Sequence, residues 1–271
     1  MNKSLAPPSS TEYNNHMRYT AQMHASRAPH HKHVLQHGWL TSIIGLMAFG
    51  VAAVIILFIA NMARLNSNDL FGGFLASLIR VTIAYVIAVL IATGLALLIT
   101  ANRIAETFLL PIFDVLQSFP SFALFPVFLV IFASQPEIII ILVLVITIVW
   151  PIMFTIISAI KSRREDLEEA ATIFGANGPK RFTAFTIPTL LPSIITGSII
   201  GWGEGWEFII GAELLVNTNI GIGHYLGVLG ESHQNTLLGL GILILMLLLF
   251  VINQVVWLPL LHRATRFSSE S

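Results

Sequence analysis

The sequence predicts an all-α membrane protein of about six transmembrane helices. Two observations carry this. Of 271 residues, 55% are hydrophobic and only 10% are charged, against about 25% charged in an average soluble domain. The apolar residues also fall into long runs, each near the ~20 residues a membrane helix needs, and the mean hydropathy is +0.82. Lipid leaves backbone groups no solvent partner, so these runs are expected to be helices. Net charge is zero and cysteine is absent. That gives no bulk field for nucleic acid, and excludes disulfides, thiol catalysis and cysteine metal sites.

The expected domain order is a cytoplasmic tail (1–37), a membrane domain (38–262) and a short cytoplasmic C-terminal tail (263–271). The first tail is polar and holds His16, His24, His30, His31, His33 and His37. Its composition predicts disorder, and no second ligand cluster gives these histidines a metal geometry. So long a polar stretch is atypical of a cleavable signal, so the first span is expected to be retained.

The first span is read at 38–63 and is uncharged, followed by a short loop at 64–71. The second, 75–101, carries Arg80 near its start. The third, 107–133, contains Asp114 and is interrupted by Pro111, Pro120 and Pro126, so it is expected to be kinked or discontinuous. The fourth, 138–160, is uncharged and rich in Ile and Val. The fifth begins near Phe182 and runs to at least Gly203. A Gly- and Asn-rich loop is read at 213–236, and the sixth span at 237–261.

With the N-terminus inside, twelve of the fourteen Lys and Arg residues fall on inside segments. The positive-inside rule therefore places both termini in the cytoplasm. It also makes 161–181 cytoplasmic and 213–236 external.

The 161–181 segment is the longest polar interruption between the apolar runs. Leu167, Ala170, Ala171 and Phe174 share one face at helical spacing. Asp166, Glu168 and Glu169 lie in the first turns, where the helix dipole favours negative charge. Gly175 suits a helix end, and Pro179 can open a second short helix. An amphipathic loop resting on headgroups is one reading. Docking of another protein is the other, because small and acidic residues differ from the basic, aromatic faces of membrane-surface helices.

Glu169-Ala170-Ala171, then Gly175, then Ile187-Pro188 and Leu191-Pro192, resembles the EAA loop of permease subunits of ATP-binding-cassette importers. The spaced prolines, Arg80, Trp206 with Glu213, and Gly221-Ile222-Gly223 resemble the branch for nitrate, sulfonate, taurine and bicarbonate. The resemblance implies the type I importer permease fold in a bacterial inner membrane. It implies ATPase coupling through Leu167, Glu169, Ala170, Ala171, Phe174 and Gly175. Its implied partners are a second permease subunit (a homodimer), cytoplasmic ATP-binding subunits, an extracytoplasmic solute-binding protein and membrane lipid. The chain is then a transport subunit and not an enzyme. No cofactor is expected in it, and ATP and Mg belong to the partner, because no G-x-x-x-x-G-K-[ST] phosphate loop is present. Two departures from the branch fall near the expected substrate path. IFASQPE at 131–137 has no glycine, and Glu204 and Glu207 add charge around Trp206.

Trp206, Glu204, Glu207 and Glu213 are the candidates for a translocation path or gate. Counted from Phe182 at ~1.5 Å per residue, Glu204 lies roughly 33 Å along, near the outer boundary. These acids are either solvated interfacial carboxylates or part of an outer vestibule. Catalysis is not expected, since no His or Asp stands at a matching offset. Gly197, Gly201 and Gly205 form a small-residue stripe. It packs against another span of the chain or across a subunit interface, and the resemblance favours the interface. Asp114 is read as structural. His224 and His233 are too few for a metal site. Two rival functions are an ion-gradient-driven secondary transporter, which predicts paired ionisable groups at the midplane, and a non-transporting scaffold, which predicts no path.

Overall fold

The computed structural model describes residues 66–162, 185–216 and 218–269, together with a few helical positions between 47 and 61. The chain divides into two units, Met1–Ile55 and Ile56–Ser271. In the first, the described residues are helical, and most of them, such as Met47 and Val51, are exposed. The predicted tail at 1–37 and most of the first predicted span lie outside the described residues.

The second unit contains eight α-helices among the described residues. They are α1 (Ser67–Ile99), α2 (Arg103–Gln117), α3 (Phe125–Ile131), α4 (Pro136–Lys161), α5 (Ile187–Val216), α6 (Ile222–Glu231), α7 (Asn235–Ile252) and α8 (Leu258–Ser269). A 3₁₀ turn (Ser121–Leu124) precedes α3, and a π-turn (Asn253–Trp257) joins α7 to α8. No strand occurs among the described residues.

The core is α4 held between α1 and α5. Its most apolar window is 56% buried, against 28% for α1 and 22% for the helix running from Asn235 to Leu261. This explains its uncharged Ile/Val composition, since it meets protein on both sides. On α1, Ala84, Ala88, Ala92 and Ala96 recur every four residues and are fully buried. Such a small-residue face lets helices approach closely.

Three helices are long and apolar enough to cross a membrane, Ser67–Ile99, Pro136–Lys161 and Asn235–Leu261. The third predicted span is broken. α2 and the Ser121–Ile131 segment meet at 85°, and as one bent span they raise the number to four. Of its three prolines, only Pro120 sits at the break. Pro111 lies inside α2, and Pro126 occupies the first turn of α3, where a missing N–H costs nothing. α5 has 30 residues, but its three glutamates, its glycines and Pro192 lower its hydropathy.

Four boundaries extend or alter the expected limits. α1 begins at Ser67, so residues 67–71 are helical rather than loop. Asp69 in its first turn suits the helix dipole and accepts from Asn66 Nδ2 at 2.6 Å. α5 continues to Val216, thirteen residues beyond Gly203. The region 213–236 is not a plain loop, because α6 occupies Ile222–Glu231 and packs on α5 and α1. At the other end, α8 carries helical backbone through the predicted C-terminal tail as far as Ser269.

Candidate functional site

Three helices meet at one charge cluster, where α4 begins, α5 ends and α1 is already three to four turns along. Arg80 of α1 makes a bidentate pair with Glu137 in the first turn of α4, Nη2 to Oε1 at 2.6 Å and Nε to Oε2 at 2.7 Å. Its Nη1 donates at 2.7 Å to Glu213 Oε1 on α5 and to the Ile220 carbonyl. Ser77 Oγ donates to Glu213 Oε1 at 2.6 Å and accepts from the Ile222 N–H at 2.9 Å. The Gly223 N–H donates to Glu213 Oε2 at 2.8 Å. Glu213 is wholly buried. Both its oxygens are satisfied, and that is the condition under which a buried carboxylate is tolerated.

Glycines make room for this carboxylate. A Cβ on Gly221, whose φ is +157°, would run into the Glu213 carboxylate. A Cβ on Gly223 would stand 2.5 Å from the Ile210 carbonyl, and one on Gly73 2.8 Å from the Gly221 carbonyl. The Gly221-Ile222-Gly223 stretch thus passes close against an acid at the end of α5, giving it the Gly223 N–H directly and the Ile222 N–H to its partner Ser77.

On the α1 side of α5, aromatic rings fill the core. Trp206 is buried and stacks on Phe74 with centroids 5.2 Å apart. Trp202, Tyr85 and Trp257 meet edge to face, and Tyr85 Oη donates to Ser198 Oγ at 2.9 Å.

Glu204 and Glu207 occupy a different face of α5. They line a cavity of about 450 Å³ against Thr147, Trp150 and Pro151 of α4 and the broken segment from Gln117 to Ser121. Neither carboxylate has a hydrogen bond or ion pair among the described residues. The four path candidates are therefore not one constellation. Glu204 and Glu207 share a cavity, Trp206 belongs to the aromatic core, and Glu213 belongs to the charge cluster. Along the bundle, Glu204 is placed by its neighbours on α4. It faces the middle of α4, and Glu213 lies nine residues further, ~13 Å along α5.

The glycine stripe packs within the chain, not across a subunit interface as the resemblance favoured. A Cβ on Gly197 would meet Ile152 Cα at 2.8 Å, one on Gly201 would meet the Ile148 carbonyl at 3.0 Å, and one on Gly205 would meet Ile148 Cδ1 at 2.9 Å. These residues let α5 lie directly on α4. Asp114 accepts from Gln117 Nε2 at 2.7 Å at the end of α2. The coupling candidates Leu167, Glu169, Ala170, Ala171, Phe174 and Gly175 lie outside the described residues. Near that end, Lys161 at the close of α4 pairs with Glu106 of α2 at 2.5 Å.

The sequence reading missed Glu137, Ser77 and Gly73. A signal for Glu137 was present, because a cation within a span needs a partner. The alternating direction of the spans brings the start of α4 to the same end as Arg80. Ser77 and Gly73 carried no comparable signal.

The fold and site define an all-helical, multi-pass membrane protein with charged groups held inside its helix bundle. Residues 84–258 match the family of binding-protein-dependent transport system inner membrane components, and the chain belongs to that family. It is similar to the bicarbonate transport system permease protein CmpB of Synechococcus elongatus, 32% identical over 160 residues, 59% of this chain and 57% of that protein. It is similar to the nitrate import permease protein NrtB of Leptolyngbya laminosa, 31% identical over 192 residues, covering 70% and 68%. The taurine transport system permease protein TauC of Escherichia coli is 28% identical over 178 residues, covering 66% and 64%. The chain thus spans little more than half the length of CmpB.

Proposed function

We propose that this chain is the membrane-spanning permease subunit of an ATP-binding-cassette importer for a small solute. Nitrate, sulfonate, taurine and bicarbonate are the solutes of the branch it resembles. The observation that carries the reading is the broken span. α2 and α3 bend by 85° at a cavity of about 450 Å³, level with the middle of α4. Broken backbone at membrane depth is stable where protein or water satisfies it, and discontinuous helices commonly build transport sites. A scaffold has no use for such a cavity. Two copies of the chain form the pore, with both termini and the 161–181 segment in the cytoplasm of a bacterial cell. Separate ATPase subunits dock on Leu167, Glu169, Ala170, Ala171, Phe174 and Gly175, and a solute-binding protein delivers cargo from outside. ATP and Mg act on the partner, and this chain makes and breaks no covalent bond. The tightly packed α1, α4 and α5 move as a rigid unit, and the α2–α3 break opens or closes beside them.

The mid-level position of Glu204 and Glu207 favours a second reading, transport coupled to an ion gradient. One experiment separates the two. The chain lacks cysteine, so Ser118→Cys places a single thiol at the break. In vesicles carrying the chain and its ATPase, labelling by an impermeant thiol reagent is expected to change on adding ATP. Labelling that ignores ATP but follows an imposed ion gradient selects the second reading. No labelling in any state argues for a scaffold.

A further inference from the structure

The Glu204–Glu207 cavity narrows the cargo class. We propose that it receives a small organic cation, with a positively charged nitrogen held between carboxylates and aromatic rings. The inference rests on the transport reading above and adds the substrate's charge.

The lining is rich in acceptors. Glu204 and Glu207 both face the cavity without a counter-charge among the described residues. Ser121, only 8% exposed, lines it at the break, and its hydroxyl has no partner among the described residues. Pro151 has no N–H to give to the Thr147 carbonyl one turn back. Both residues line the same wall, so a backbone acceptor there is left without its helical partner. No Lys, Arg or His lines the cavity. An inorganic anion would meet two carboxylates and no compensating cation, an arrangement that disfavours it by like-charge repulsion.

Phe119, Trp150 and Phe208 supply aromatic faces, and Gln117, Ser118 and Pro120 complete the lining. An alkylammonium or guanidinium group gains from such faces by cation–π attraction, more so when desolvated. A bare metal ion fits less well, since no group of three acidic or histidine side chains with ligand geometry occurs among the described residues. A volume of about 450 Å³ is also within the range of ~300–1,000 Å³ typical of small-molecule sites.

The test uses the full-length chain in nanodiscs with radiolabelled choline and, separately, putrescine. Saturable binding of at least one cation is expected, with nitrate and bicarbonate failing to compete. Glu204→Gln with Glu207→Gln is expected to weaken it about tenfold or more, with an unchanged thermal midpoint showing that the fold persists. Trp150→Leu is expected to weaken choline more than putrescine. Absence of saturable binding by both cations, binding indifferent to the two glutamine substitutions, or displacement by nitrate overturns the inference. ATP-dependent uptake, measured in parallel with the ATPase present, separates the two readings. Uptake of nitrate or bicarbonate without cation binding sinks this inference alone. Cation binding with no ATP-dependent uptake of any solute sinks the importer reading.

Discussion

Arg80 Nη1 donates to Glu213 Oε1 at 2.7 Å, joining α1 to α5 across 133 positions of sequence, and Glu213 has no exposed surface. The same guanidinium holds Glu137 of α4 with two further bonds. One side chain therefore ties the three central helices together at one end of the bundle.

Removing that side chain leaves a buried carboxylate without its cation. Arg80→Met is expected to destabilise the chain by about 3–5 kcal/mol. Glu137→Gln is expected to cost about 1 kcal/mol or less, because the Glu137 side chain is 55% exposed and water replaces part of the loss. Thermal unfolding in detergent measures both, and a larger effect from Glu137→Gln would contradict the assigned roles.

The glycines around Glu213 have a built-in control. Gly73→Ala and Gly223→Ala are expected to lower the thermal midpoint, since each added methyl meets backbone oxygen at 2.8 Å and 2.5 Å. Gly72→Ala, beside Gly73 but with nothing within 4 Å, is expected to be neutral or slightly stabilising, by up to about 1 kcal/mol. Equal effects at positions 72 and 73 would rule out the steric account.

A similar contrast applies to α5. Gly201→Leu is expected to separate α5 from α4 and reduce the yield of folded protein, while Gly203→Ala, facing open space, is tolerated. If Gly201→Leu instead left the monomer intact and only blocked dimer formation in crosslinking, the stripe would belong to a subunit interface after all.

The proposed coupling segment predicts loss of ATPase capture in pull-downs for Gly175→Pro and for Glu169→Lys. By the sequence expectation, Gly175→Pro removes a glycine suited to a helix end, and Glu169→Lys reverses charge where a helix dipole would favour an acid. Unchanged capture and transport in both variants would falsify the assignment.

Topology gives the last expectation. A reporter fused after Arg164 is expected on the cytoplasmic side and one after Asn219 outside, and the opposite pattern would reverse the proposed orientation. The charge cluster, at the end nearer Asn219, would then face the cytoplasm.

Sequence alone determined the helical, membrane-embedded character, because lipid allows long apolar runs few other backbone solutions. It also determined that the third span breaks, since proline lacks the N–H a helix needs. The polar segment at 161–181 was equally visible. Periodicity contained one fact that was read past. At about 100° per residue, Trp206 lies on the far side of α5 from Glu204, while Glu207 lies beside it. What only tertiary structure decided was which side chains meet. Arg80 needed a partner, but the identity of Glu137 and Glu213 depends on three helices converging. The glycine stripe permits close approach to any helix, and the packed bundle selects α4. How far α5 runs was left open by the sequence, and α6 packing on α5 and α1 accompanies its extension to Val216. Local patterns specify which faces are apolar, small or charged. Contacts between residues far apart in sequence decide what each face touches.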